Sequence, residues 1–154
     1  MARFVFTEIN GVLIPEASKF TAILLNEEVR AFKPSVTALN RIIDATHAQL
    51  VVASSWRAMG IGLLQDKFKQ IGITAKIADV TPGDAHKDVA LHHFLKGAPE
   101  WGYSKVESFV VLDNEQVYSA DIAPFLILAE QRAGLTSALA DKAIAILNNQ
   151  EYSP

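Results

Sequence analysis

Three short runs in this chain are apolar almost without interruption: Arg3–Thr7 (RFVFT), Gln49–Ala53 (QLVVA) and Ser108–Leu112 (SFVVL). A strand with one wet face alternates apolar and polar side chains. A continuous run instead marks a strand covered on both faces, the condition of a parallel sheet packed between helices. Pro124–Leu128 (PFLIL) reads as a further strand, and Thr74–Ala78 (TAKIA) as a weaker one, third in chain order.

Helical spacing fills the gaps. Pro34 suits a first helical turn, and Val36, Leu39, Ile42 and Ile43 recur behind it through Ala45. A second helix is predicted from about Ala58 to Gln70 with Ile61, Leu64 and Phe68 inward, and a third from Lys87 to Leu95. The last begins near Thr136, an N-cap type, and turns Leu139, Ala143, Ile146 and Leu147 inward. The link Asn114–Ala123 is too short for a full helix. Ile14–Lys33 has no clear assignment, and Asn148–Pro154 reads as a polar, frayed tail. The alternation predicts one α/β domain over residues 1–150, with right-handed crossovers and a tail at 151–154.

With 154 residues, half of them apolar, the chain can bury a sizeable core. The net charge of −3 gives no electrostatic footprint for nucleic acid or an anionic membrane, and Lys67, Lys69, Lys76 and Lys87 read as a solvated face. Without cysteine there is no disulfide, thiolate metal site or Cys nucleophile. No apolar run approaches the roughly 18 residues of a membrane span, and the first residues lack a signal-peptide pattern. The expectation is a cytoplasmic protein with no membrane partner.

In an open parallel sheet, ligands bind beyond the carboxyl ends of the strands. The residues that follow each strand are therefore the ones to read. They are Glu8-Ile9-Asn10-Gly11-Val12-Leu13, then Ser54-Ser55-Trp56-Arg57, then Thr81-Pro82-Gly83 with Lys87 behind, and lastly Asp113-Asn114-Glu115. Carboxylates, hydroxyls and a cation at one sheet edge suit phosphoryl chemistry: acids hold Mg²⁺ or attack phosphorus, while hydroxyls and Lys hold phosphate oxygens. Taken singly, each has a plainer reading. Asn10-Gly11 also makes a turn, Ser54 and Ser55 also cap a helix, Trp56 packs, and Arg57 pairs for structure. His92 and His93 are adjacent, so a helix points them about 100° apart, poorly placed to share a metal.

Together these four stretches resemble the haloacid dehalogenase (HAD) superfamily. That family opens on a strand ending Asp-x-Asp-Gly-[Thr/Val]-Leu, here Glu8-Ile9-Asn10-Gly11-Val12-Leu13. Its Ser/Thr after the second strand falls at Ser54 or Ser55, its basic residue at Lys87, and its acid pair at Asp113-Asn114. The Ser54–Arg57 run, Gly134-Leu135-Thr136 and the chain length are similar to a compact subgroup found alone or as the phosphatase-like module of RNA-repair proteins.

The resemblance implies a three-layer, Rossmann-like α/β sandwich with a five-stranded parallel sheet ordered 5-4-1-2-3 and no large cap. It implies catalytic positions at Glu8, Asn10, Ser54 and Lys87, and Mg²⁺ held by Glu8, the Asn10 carbonyl and Asp113. It also implies substrate contacts from Ser54, Ser55, Arg57 and Lys87, and an open site that admits a phosphorylated small molecule or a nucleic-acid end.

The departures bear on chemistry. The family's nucleophile is Asp, whereas Glu8 is one methylene longer. A displacement of about 1 Å on that scale can cost on the order of 100-fold. Asn10 stands at the general acid/base position, where an amide cannot exchange a proton at neutral pH, a role worth about 10²–10⁴-fold. Asn114 removes another charge, which weakens Mg²⁺ binding. Two classes of function follow: a Mg²⁺-dependent phosphatase with a shifted mechanism through Glu8, or a protein that keeps the fold and pocket as a binding or regulatory module. The substitutions tilt the reading toward reduced or lost phosphatase activity.

Overall fold

A computed structural model describes residues 2–15, 32–83 and 86–149. Its centre is β1 (Ala2–Thr7), which pairs in parallel with both neighbours. Phe4–Thr7 lie opposite Gln49–Val52 of β2, and Arg3–Thr7 opposite Ser108–Leu112 of β4 (Val106–Asp113). β3 (Ile77–Val80) and β5 (Leu126–Leu128) complete an all-parallel sheet ordered β3-β2-β1-β4-β5, the expected order.

Successive β1 side chains leave by opposite faces. Phe4 and Phe6 enter an aromatic layer with Phe109 and with Leu91 and Phe94 of α3 (Lys87–Gly97). Phe94 meets Phe4 and Phe6 edge-on, with ring centroids 5.3 and 5.2 Å apart, a favoured aromatic geometry. Val5 enters an aliphatic layer with Leu50, Val52, Val110 and Leu112. Three helices cover that layer: α1 (Lys33–Thr46), α2 (Ile61–Gln70) and α4 (Ser137–Asn149). Burial from both sides explains the unbroken apolar runs.

The helix ends follow their residues. Pro34 sits in the first turn of α1, and His47 closes it in a left-handed conformation, its N–H donating to the Ile43 carbonyl. Thr136 caps α4, its hydroxyl accepting from the Leu139 N–H at 3.2 Å.

Four expectations shift. β3 spans Ile77–Val80 rather than Thr74–Ala78, because the Gln65 amide already satisfies this stretch. It donates to the Ala75 carbonyl at 3.2 Å and accepts from the Ile77 N–H at 2.6 Å. The second helix begins at Ile61, after a 3₁₀ turn over Ser55–Met59 and Gly60 at φ 87°. The restart leaves Ile61 39% exposed while Leu64 and Phe68 take the core side. Pro124 and Phe125 lie in a 3₁₀ turn before β5; Pro124 has no N–H for a ladder. Asn148 and Asn149 belong to α4, and Asn148 accepts from Arg3 at 2.8 Å. The tail at 151–154 and most of Ile14–Lys33 lie outside the described residues. None of the described helices is long and apolar enough to cross a membrane.

Candidate functional site

The ladder continues one residue past four strands. The N–H groups of Glu8, Ala53, Thr81 and Ala129 donate to the carbonyls of Leu112, Thr7, Val52 and Asp113. The carboxyl ends of β1, β2, β3 and β4 therefore share one edge, which opens into a cleft of about 460 Å³. Glu8, Asn10, Gly11, Ser55, Arg57, Thr81, Lys87, Asn114, Glu115, Tyr118 and Gln131 are among the residues that line it.

The chain turns sharply after β1. The Val12, Leu13 and Ile14 N–H groups all point at the Ile9 carbonyl, and the Gly11 N–H donates to the Ile14 carbonyl. Gly11 has φ 81°, and a Cβ there would stand 2.7 Å from the Asn114 side chain. Only glycine fits both the backbone and the approach of the two loops. This turn leaves the Glu8 side chain nearly buried and Asn10 exposed.

The Lys87 ammonium, on the first residue of α3, joins the two acidic strand ends. Nζ lies 3.2 Å from Glu8 Oε2 and 3.0 Å from Asp113 Oδ2. Glu115 Oε1 is 3.6 Å away on the outer side. Burial pulls the Lys87 pKa down, but Asp113 and then Glu8 outweigh it, and the group stays charged above the ordinary lysine value.

Asp113 is 1% exposed and surrounded by donors. Its Oδ1 accepts from the N–H groups of Asn114 (2.7 Å) and Glu115 (3.2 Å) and from Lys87 (3.2 Å). Its Oδ2 accepts from Lys87 (3.0 Å) and from the Tyr118 hydroxyl (2.8 Å). Glu8 Oε1 turns back to accept from the Ile9 N–H at 2.9 Å.

Lys87 thus touches both Glu8 and Asp113, and Asn10 lines the same cleft. Ser54 is 1% exposed; its hydroxyl accepts from the Trp56 N–H at 3.2 Å and caps the 3₁₀ turn. Ser55 and Arg57 line the cleft, with Arg57 also donating to the Ser54 carbonyl at 2.9 Å. Trp56 packs on the aliphatic layer. Tyr118 is the functional neighbour that the sequence reading did not single out; its only signal is a phenol five residues after the acid of β4.

Mg²⁺ prefers hard oxygen donors in near-octahedral array, and Glu8 and Asp113 are such donors. Their arrangement does not fit it. The ammonium of Lys87 stands between them, and five donor contacts leave Asp113 no free lone pair. Among the described residues no cluster of three or more His, Asp or Glu side chains is placed to hold a metal.

The family model described as "HAD domain in Swiss Army Knife RNA repair proteins" matches residues 4–140, most of the chain. No curated protein and no solved structure matches it.

Proposed function

The chain belongs to the family of HAD domains found in Swiss Army Knife RNA repair proteins, and from that premise we propose that it is a phosphohydrolase-fold protein whose turnover of phosphomonoesters is weak or lost. The observation that carries this reading is the state of Glu8. One carboxylate oxygen is held by the next residue's own N–H, the other by Lys87. An in-line attack on phosphorus needs a carboxylate oxygen aimed into the cleft. Asn10 reaches the cleft but offers no proton to a leaving oxygen.

What the chain retains is a polar cleft with two cations, Lys87 and Arg57, and amides at Asn10, Asn114 and Gln131. That lining favours a second reading, in which the cleft takes a phosphorylated group, such as the end of an RNA strand or a small phosphate ester, without efficient cleavage.

The test compares hydrolysis of an activated aryl phosphate, at high Mg²⁺, by the native chain and by the Glu8→Asp/Asn10→Asp variant. The double variant is expected to be faster by about 10²-fold or more, the scale of a restored general acid. A native rate equal to or above that of the variant would defeat the proposal and point to Glu8 as a working nucleophile.

A further inference from the structure

Tyr118 lies in the link from β4 to β5, and that link is tied to α3. The Ser119 N–H donates to Asp88 Oδ1 at 3.0 Å. The Ser119 hydroxyl lies 3.0 Å from Asp88 Oδ1 and 2.6 Å from Asp121 Oδ1, with one proton to share between them. His92 closes the clamp: Nε2 sits 2.8 Å from Asp121 Oδ2 and Nδ1 sits 2.7 Å from the Asp88 carbonyl. Asp88 follows Lys87 on the same helix. Lys87 and Tyr118 therefore reach Asp113 from two elements held to each other.

Tyr118 has one hydroxyl proton, and the geometry gives it to Asp113 Oδ2. Burial first, and the Asp113 charge second, push the phenol well above its ordinary pKa. It remains a donor across the physiological range.

We propose that Tyr118 is a positioning residue which, together with Lys87, keeps Asp113 closed to divalent cations. The cleft then holds its own ammonium where a metal would otherwise bridge the two strand ends. The inference rests on the reading of a degraded site and adds a cause separate from the altered acids. A cation entering between Glu8 and Asp113 must displace a charged lysine and strip a hydrogen bond from a carboxylate that has no spare lone pair. Removing the phenol oxygen frees one lone pair at Oδ2 without changing the charge of the site.

The probe is Mn²⁺, titrated without substrate into the native chain and into Tyr118→Phe, with binding read by water-proton relaxation and folding by circular dichroism. Expected is at least ten-fold tighter binding by Tyr118→Phe. Ser119→Ala, which loosens the clamp, should produce a smaller gain of the same sign. Adding Asp113→Asn to Tyr118→Phe should remove the gain. General damage to the fold would lower metal affinity, so a gain reports on the release of Asp113.

Submillimolar Mn²⁺ binding by the native chain overturns the proposal, as does a folded Tyr118→Phe with unchanged or weaker binding. Metal binding by the native chain without hydrolysis would sink this inference alone and leave the altered-acid reading standing. A gain in metal binding by Tyr118→Phe without hydrolysis supports both.

Discussion

The carboxyl ends of β1 and β4 are neighbours on one sheet edge, each closing on an acid, yet the two acids are held differently. Asp113 is fully enclosed and accepts from two backbone N–H groups, a phenol and an ammonium. Among the described residues the Glu8 carboxylate accepts from one backbone N–H, that of the residue beside it, and shares the same ammonium. The short aspartate side chain lets the backbone just beyond it wrap the carboxylate. The extra methylene of Glu8 carries its carboxylate back over its own peptide. One end is built around its acid; the other has its acid folded onto it.

The strongest way to break this comparison is Asp113→Asn. The amide would set an NH₂ group against Lys87 or against the N–H groups of Asn114 and Glu115, and the ammonium would lose its best partner. Breaking a buried pair from one side costs about 3 kcal/mol or more, measured as a shift of the urea midpoint.

Glu8→Gln should cost about 1 kcal/mol, because the amide carbonyl can still accept from the Ile9 N–H. Equal losses for the two variants would show that both strand ends depend on their acids alike.

The smallest effect concerns the clamp behind β4 alone. The hydrogen bond to Asp121 raises the pKa of His92, with burial opposing and Asp88 adding to the rise. Ser119 first, and then His92, hold Asp121 down to about 2. A raised histidine contributes stability that is complete below its ordinary 6.5 and is lost as pH climbs through the raised value. A depressed aspartate contributes above its ordinary 3.8 and loses that contribution as pH falls toward about 2. His92→Ala should therefore lower the melting temperature more at about pH 5.5 than at about pH 8.5, a window that follows from the two shifts. A gap independent of pH would mean that the clamp carries no charge.

Much of this architecture was legible in the residues. The four strongest strands were marked by apolar continuity, and the acids, Lys87 and the Asn10-Gly11 turn by their place after them. β3 was misplaced because a side chain, Gln65, does the bonding that a strand would otherwise do. No local pattern records a contact made across a helix. Tyr118 was missed for a related reason: its role comes from a loop clamped by Asp88 and His92, residues on a separate helix. Ser54 shows that the right residue type can fill a plainer position, since its hydroxyl caps the turn that presents Ser55 and Arg57.

The placement of β1 at the middle of the sheet also matters while the chain is being made. Its partner β2 follows soon after, but β4 comes only with Val106–Asp113. Until then one edge of Ala2–Thr7 offers unpaired N–H and C=O groups beside Phe4, Val5 and Phe6, residues wholly enclosed in the finished protein. An open apolar edge is a template for pairing with another chain. A chain halted before β4 would leave its stickiest strand half-covered, so the burden on chaperones falls on β1 until β4 is made.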